Sequence, residues 1–247
     1  MITTVTGSHE GELAVRARAG VEIRDRRGNT IPPGARAFLA ARRFVVVATC
    51  GEEITASLLA GTITATEREV RIAPQGGHIE RVTQDLALDP RIGLLAIDFE
   101  AQQRMRINGS ARVDGGTIVV TPDEVYANCP QYIGVGDTFF IATAHPTAGA
   151  DISHRGGPVG FVHEDGNDIS WPDYSGNNMF NTLGNLAIDP RCGLLFVDFE
   201  TGAMRQVHGR ARVEWNGAER TVRVAAGNPS DTPPPDKTAT PDDPALP

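Results

Sequence analysis

Apolar residues in this chain fall into short runs separated by glycine, proline and charged residues, with few long helical stripes. Residues 44–49 (FVVVAT) and 138–143 (TFFIAT) are almost wholly β-branched, aromatic or small, the composition of strands buried on both faces. Further strands are predicted at 54–59, 69–73, 93–99, 104–113 and 117–121, and again at 151–155, 169–172, 193–199 and 205–213. Spaced apolar residues predict helices at 9–19 (HEGELAVRARA), 35–42, 79–88 and 180–188. The last two stop at Asp89-Pro90 and Asp189-Pro190, because a residue before proline is driven out of the helical region. Many short strands and few short helices predict a mainly β fold built from small antiparallel barrels.

The second half repeats the first. Residues 86–113 and 186–213 align without a gap, and 15 of the 28 positions are identical. A gapless match of that length is a duplication. It divides the chain into two units of about 100 residues, an ordinary domain size, at 9–133 and 137–224. Units this small leave much of their surface exposed and gain by packing on each other, so an intramolecular pseudo-dimer is expected, without need of a second chain. Residues 226–247 are rich in proline and aspartate and nearly lack large apolar side chains, so they are expected to be disordered.

Charge narrows the partners. The net charge is −8, which argues against nucleic acid and against anionic membrane surfaces, both of which attract basic proteins. No apolar run approaches the roughly 20 residues of a membrane span, and the first residues do not form an export signal, so a soluble cytoplasmic protein is expected. Cys50, Cys129 and Cys192 are too widely spaced for a zinc motif and suit buried thiols in a reducing compartment. Lys237, in the proline-rich tail, is the single lysine. Lysine Schiff-base chemistry and a GxxxxGK[ST] phosphate loop are therefore excluded, and any phosphate must be held by arginine, histidine, hydroxyl, amide or backbone N–H groups.

The copies differ where a ligand would be expected. The second strand reads DISHRGG in the second unit and TASLLAG in the first, so Leu58-Leu59 gives way to His154-Arg155. Ahead of the helix the second unit carries WPDYSGNNMFNTLGN, with Ser175, Gly176, Asn177, Asn178 and Thr182 before and within the helix start. A helix N-terminus with neutral donors and a nearby arginine is an anion site; the same residues also make an ordinary polar turn. The six histidines show no metal-ligand spacing, and no metal is expected. Ser153 and His154 point to opposite faces of their strand, which rules out a Ser-His nucleophile pair.

The segments HEGEL (9–13), ASLLAG (56–61), YANCPQYI (126–133), DTFFIATA (137–144), SHRGGPVGFV (153–162) and 173–202, taken in this order, resemble the FMN-binding split-barrel proteins related to pyridoxamine 5'-phosphate oxidase, in their tandem-repeat bacterial branch. The resemblance implies two packed split barrels with FMN in a groove between them. It assigns the cofactor to Ser153, His154, Arg155, Ser175, Gly176, Asn177, Asn178 and Thr182, and to Gln206 on the strand after Glu200. The Ser-Arg-Lys stretch of the oxidases is absent, so pyridoxamine phosphate oxidation is not implied. Only residues 134–136 link the repeats, where relatives have a longer connection, and no reductase module follows.

The expected function is an FMN-dependent oxidoreductase passing reducing equivalents between NAD(P)H, or a separate flavin or ferredoxin reductase, and a small-molecule acceptor, the cofactor supplying the chemistry. The alternative is a non-catalytic flavin carrier or tetrapyrrole-binding module, since the fold alone does not decide. No catalytic acid or base is singled out; His154 and Tyr174 are the titratable residues to test.

Overall fold

A computed structural model describes residues 7–23, 25, 27–127, 130–134 and 136–227. The proline-rich tail from residue 228 and Cys129 lie outside the described residues. Two short helices, α1 (Glu10–Ala19) and α2 (Pro33–Ala40), precede the strands β1 (Phe44–Cys50), β2 (Ile54–Ala65) and β3 (Val70–Gly77). Helix α3 (Ile79–Leu88) leads into β4 (Arg91–Asp98), β5 (Gln103–Asp114) and β6 (Thr117–Ala127). The second unit follows with β7 (Asp137–His145), β8 (Gly149–Gly157), β9 (His163–Asp165), β10 (Asp168–Pro172), α4 (Asn181–Ile188), β11 (Arg191–Val197), β12 (Met204–Asn216) and β13 (Glu219–Ala226). The protein is thus mainly β, with two sheets and four short helices among the described residues, consistent with two split-barrel units.

Both units use one strand order. The first closes as β1-β2-β3-β6-β5-β4, and the second runs β8-β7-β11-β12-β13-β10-β9. With β7 standing for β1 and so on through the repeat, these are the same sheet, except that the second lacks the pairing that closes the first. The cause is local. Strand β2 continues past a bulge at Ala60/Gly61 and pairs with β3, whereas β8 stops at Gly157 before Pro158, which has no N–H to donate. The short strand β9, which the sequence pattern does not predict, extends the open edge.

Packing follows from alternation along the strands. Val45 and Val47 of β1 point into the first barrel, while Val46 and Ala48 point out. Outward residues of β1, β2 and β4 meet Phe140 and Ala142 of β7, Ile152 of β8 and Leu195 of β11 in a core shared between the units. Ile133, from the short link, is fully buried in that shared core. Two glycines at one repeat position let the backbones meet. A Cβ on Gly93 would lie 2.9 Å from Asp151 Cα, and one on Gly193 would lie 2.4 Å from Ile54 O. The contact is reciprocal, β4 on β8 and β11 on β2, which makes the assembly an intramolecular pseudo-dimer.

Helix α1 precedes the first barrel in the chain but sits on the second unit. A Cβ on Gly11 would lie 2.2 Å from Gly184 O, so α1 and α4 touch backbone to backbone. Glu12 is fully buried and accepts from Asn181 Nδ2 at 2.7 Å and from Arg27 Nη2 at 3.0 Å. His9 caps the helix, its Nδ1 accepting from Gly11 N at 3.2 Å. The HEGEL segment therefore fixes the start of α4.

Candidate functional site: an arginine-lined anion cavity between the units

The open side of the second sheet leaves two adjoining cavities of about 70 and 90 Å³. Ser153 and Arg155, on one face of β8, line the smaller together with Thr182 and the loop residues Gly176, Asn177 and Asn178. Ser153 Oγ and Thr182 Oγ1 lie 2.8 Å apart and join the strand to α4. Ser175, Gly176 and Asn177 line the larger cavity, where Tyr132 and Tyr174 stack with centroids 5.3 Å apart. Tyr132 OH donates to Ser175 O at 3.3 Å.

The start of α4 has no side-chain cap. Phe180, the N-cap residue, has left-handed backbone (φ 57°) and no side-chain cap, so the first N–H groups of α4 lack a capping oxygen. Asn178 is left-handed as well (φ 57°). Strain of this kind in non-glycine residues costs of order 1 to 3 kcal/mol each and gathers at ligand sites.

The first unit contributes residues that the sequence analysis did not select. Arg104 and Arg106 of β5 reach across to β8, and Arg106 lines both cavities. Arg106 Nη1 lies 3.2 Å from both Asp151 carboxylate oxygens, and Asp151 also accepts from Tyr126 OH at 3.1 Å and Asn108 Nδ2 at 3.3 Å. Burial opposes the Arg106 charge, but Asp151 and Tyr126 together outweigh it and hold its pKa above the ordinary value. The Nε atoms of Arg106 and Arg155 are buried without a hydrogen-bond partner. Burial lowers the Arg155 pKa, only partly offset by Asp173, whose Oδ1 is 3.9 Å from Arg155 Nη2. Two cationic side chains with buried, unsatisfied donors favour an anion between them. The signal was present in the repeat, since Arg104 and Arg106 stand where the second copy has Met204 and Gln206.

Two expected site residues behave differently. His154 lines the larger cavity but is buried on the other face of β8, where Arg104 Nη1 donates to its Nδ1 at 2.8 Å and its Nε2 meets Thr138 Oγ1. Burial, with the nearby arginines, pushes its pKa well below the usual histidine range, so it is a neutral, fully engaged ring. Gln206 is not with the others. Its Nε2 donates to Ala56 O at 2.7 Å and Ser57 Oγ at 3.1 Å, in the groove related by the repeat. There Leu59 and Val82 stand in place of Arg155 and Thr182, and both are buried in the first core.

The fold brings His9, Glu10 and His145 together, which their spacing did not predict. Both rings accept backbone N–H groups at Nδ1, from Gly11 at 3.2 Å and from Ala148 at 3.0 Å. That places their protons on Nε2, the atoms that would face an ion, and His145 Nε2 donates to Glu10 Oε1 at 3.0 Å. A metal-bound Nε2 requires the opposite tautomer, so the cluster serves to tie α1 to β7. Among the described residues no helix is long and apolar enough to cross a membrane.

Comparison with known proteins agrees with this geometry. None of the curated proteins matches the chain. A solved structure with some likeness is the Bacillus subtilis inhibitor of motility (MotI/DgrA), 10% identical, covering 75% of this chain and 88% of that one at a TM-score of 0.24, a level that carries no weight for fold or function. Residues 136–239 match the family model described as pyridoxamine 5'-phosphate oxidase. That match covers the unit bearing Ser153, Arg155 and α4, and it makes this part of the chain similar to the pyridoxamine 5'-phosphate oxidase family.

Proposed function

We propose that the protein binds one FMN per chain, its phosphate held in the cavity of Ser153, Arg155, Thr182 and Arg106, and that it is a flavin-dependent oxidoreductase. The observation carrying this reading is the pair of buried, unpartnered guanidinium Nε atoms lining one cavity with the start of α4, Arg155 from the family-matched unit and Arg106 from the first unit. The two cavities are small against the roughly 300 Å³ or more of a typical cofactor pocket. They suit the phosphate end; the ring system needs the stacked Tyr132 and Tyr174 to part. A bound flavin would supply the redox chemistry, with electrons from NAD(P)H or a separate reductase and a small molecule as acceptor. This chain's residues would anchor the phosphate, orient the ring and limit water.

A second reading, a flavin carrier without turnover, is favoured by one observation: both nitrogens of His154 are engaged, which leaves this residue no proton to exchange with a ligand. Visible spectra of the purified protein with NAD(P)H and then an acceptor separate the two. Bleaching followed by recovery supports the enzyme, a flavin that stays oxidised supports the carrier, and a protein that neither carries nor takes up flavin contradicts both.

A further inference from the structure

We propose that a groove beside α2, separate from the phosphate cavity, binds a small aromatic anion. The groove holds about 540 Å³, within the roughly 300 to 1,000 Å³ range of small-molecule pockets. Its walls are apolar where α2 faces the sheet, with Ala35 and Phe38 on one side and Met105 and Pro130 on the other. Gln103 and Arg104 add polar groups, and among the described residues no acidic side chain lines it.

This composition selects a ligand class. Phe38 and Met105 offer a ring face and a polarisable thioether, which suit a flat aromatic molecule. The guanidinium carbon of Arg42, which is not in the groove lining, lies 4.8 Å from the Phe38 ring centroid. Among the described residues Arg104 is the one charged residue in the lining, which favours a carboxylate or sulfonate and disfavours a cation. Arg104 also lines the 90 Å³ cavity through its bond to His154, so an anion in the groove would meet the arginine cluster from its other side. The inference stands on the groove alone and does not require FMN.

Two fluorescent probes with the same rings test it: 8-anilinonaphthalene-1-sulfonate and the uncharged N-phenyl-1-naphthylamine. One saturable site is expected for each. Arg104→Gln should lower the affinity of the sulfonate relative to the neutral probe by about tenfold, the scale of one charge-assisted hydrogen bond. Ala35→Trp, which fills the groove, should abolish binding of both. A charge preference unchanged in Arg104→Gln overturns the proposal, even if Ala35→Trp fails to fold. So does binding that survives Ala35→Trp, or that is lost in Trp215→Ala, which would place the probes in the groove of about 380 Å³ beside Trp215.

Discussion

Arg106 and Gln206 occupy the same position in the two copies, yet Arg106 Nη1 donates to the Asp151 carboxylate at 3.2 Å while Gln206 Nε2 donates to the Ala56 carbonyl at 2.7 Å. Each reaches across the pseudo-twofold axis to the second strand of the other unit. There Arg106 meets Ser153 and Arg155, which carry hydrogen-bonding and charged groups into a cavity; Gln206 meets a strand whose next residues are Leu58 and Leu59. One groove therefore carries Arg155 into a cavity, while the other has Leu59 at the matching position, buried in the first core.

Removing either arginine should weaken flavin binding. Arg155→Ala and Arg106→Gln, the latter giving the site the residue of the other copy, should each cost about 1.5 to 3 kcal/mol, or about tenfold or more in Kd. Arg91→Ala is the control. Its side chain bonds Asp89 and the carbonyls of His145 and Pro146, outside both cavities, so FMN fluorescence quenching should give an unchanged Kd. Equal losses in all three folded variants would contradict a site centred on β8.

The contact between units should depend on its two glycines. Gly193→Ala places a Cβ 2.4 Å from Ile54 O and 2.9 Å from Ala56 N, both backbone atoms that cannot swing aside. A loss of about 1 to 3 kcal/mol in urea unfolding is expected, as for overpacked cores. Gly93→Ala, whose nearest contact is 2.9 Å, should lose less. Gly34→Ala, in α2 with open space around it, should be neutral or stabilising.

Two buried groups oppose each other in pH. Burial, with His145 nearby, lowers His9 from 6.5 to about 4. Its contribution is present above pH 6.5 and lost as pH falls through 4, by about 3 kcal/mol at most. Burial raises Glu124 from 4.5 to about 7, although Arg27 Nη1 lies 2.9 Å from its carboxylate. Its contribution is present below pH 4.5 and lost as pH rises through 7. The two slopes offset between pH 4.5 and 6.5. Glu124→Gln removes one of them, so its Tm should fall on acidification from pH 6.5 to 4 more steeply than that of the unsubstituted protein. An equal or shallower fall would contradict the assignment.

Much of the fold was legible because local signals agreed. The α3 helix runs over the predicted 79–88, since Asp89-Pro90 stops it, and Asp89 Oδ1 then accepts the Arg91 N–H at 3.0 Å. The same turn recurs at Asp189 and Arg191. The short strand β9, with all three residues exposed, had no apolar pattern to betray it. Strand β13 was missed as well, although Val222 and Val224 alternate into the core. Within the site, Arg155 and Thr182 were visible as differences between copies, whereas Ser153 and Gly176 have Ser57 and Gly76 as counterparts. Arg104 and Arg106 differ too, but their meaning depends on which strand they face across the axis, and a linear repeat does not state that. Gly156 was legible only as a glycine. Its reason is tertiary, because a Cβ there would lie 2.2 Å from Tyr132 O.

The central claim is one anion-anchored flavin in the groove of the second copy, and titration of the apo-protein with FMN tests it most directly. Ser153, Arg155 and Thr182 have Ser57, Leu59 and Val82 as counterparts, and a phosphate buried beside Leu59 and Val82 would lose several kcal/mol for want of partners. Binding followed by fluorescence or calorimetry should saturate at one FMN per chain, and Arg155→Ala should weaken that single site. Two tight sites per chain, or saturable binding indifferent to Arg155 and Arg106, would contradict the account.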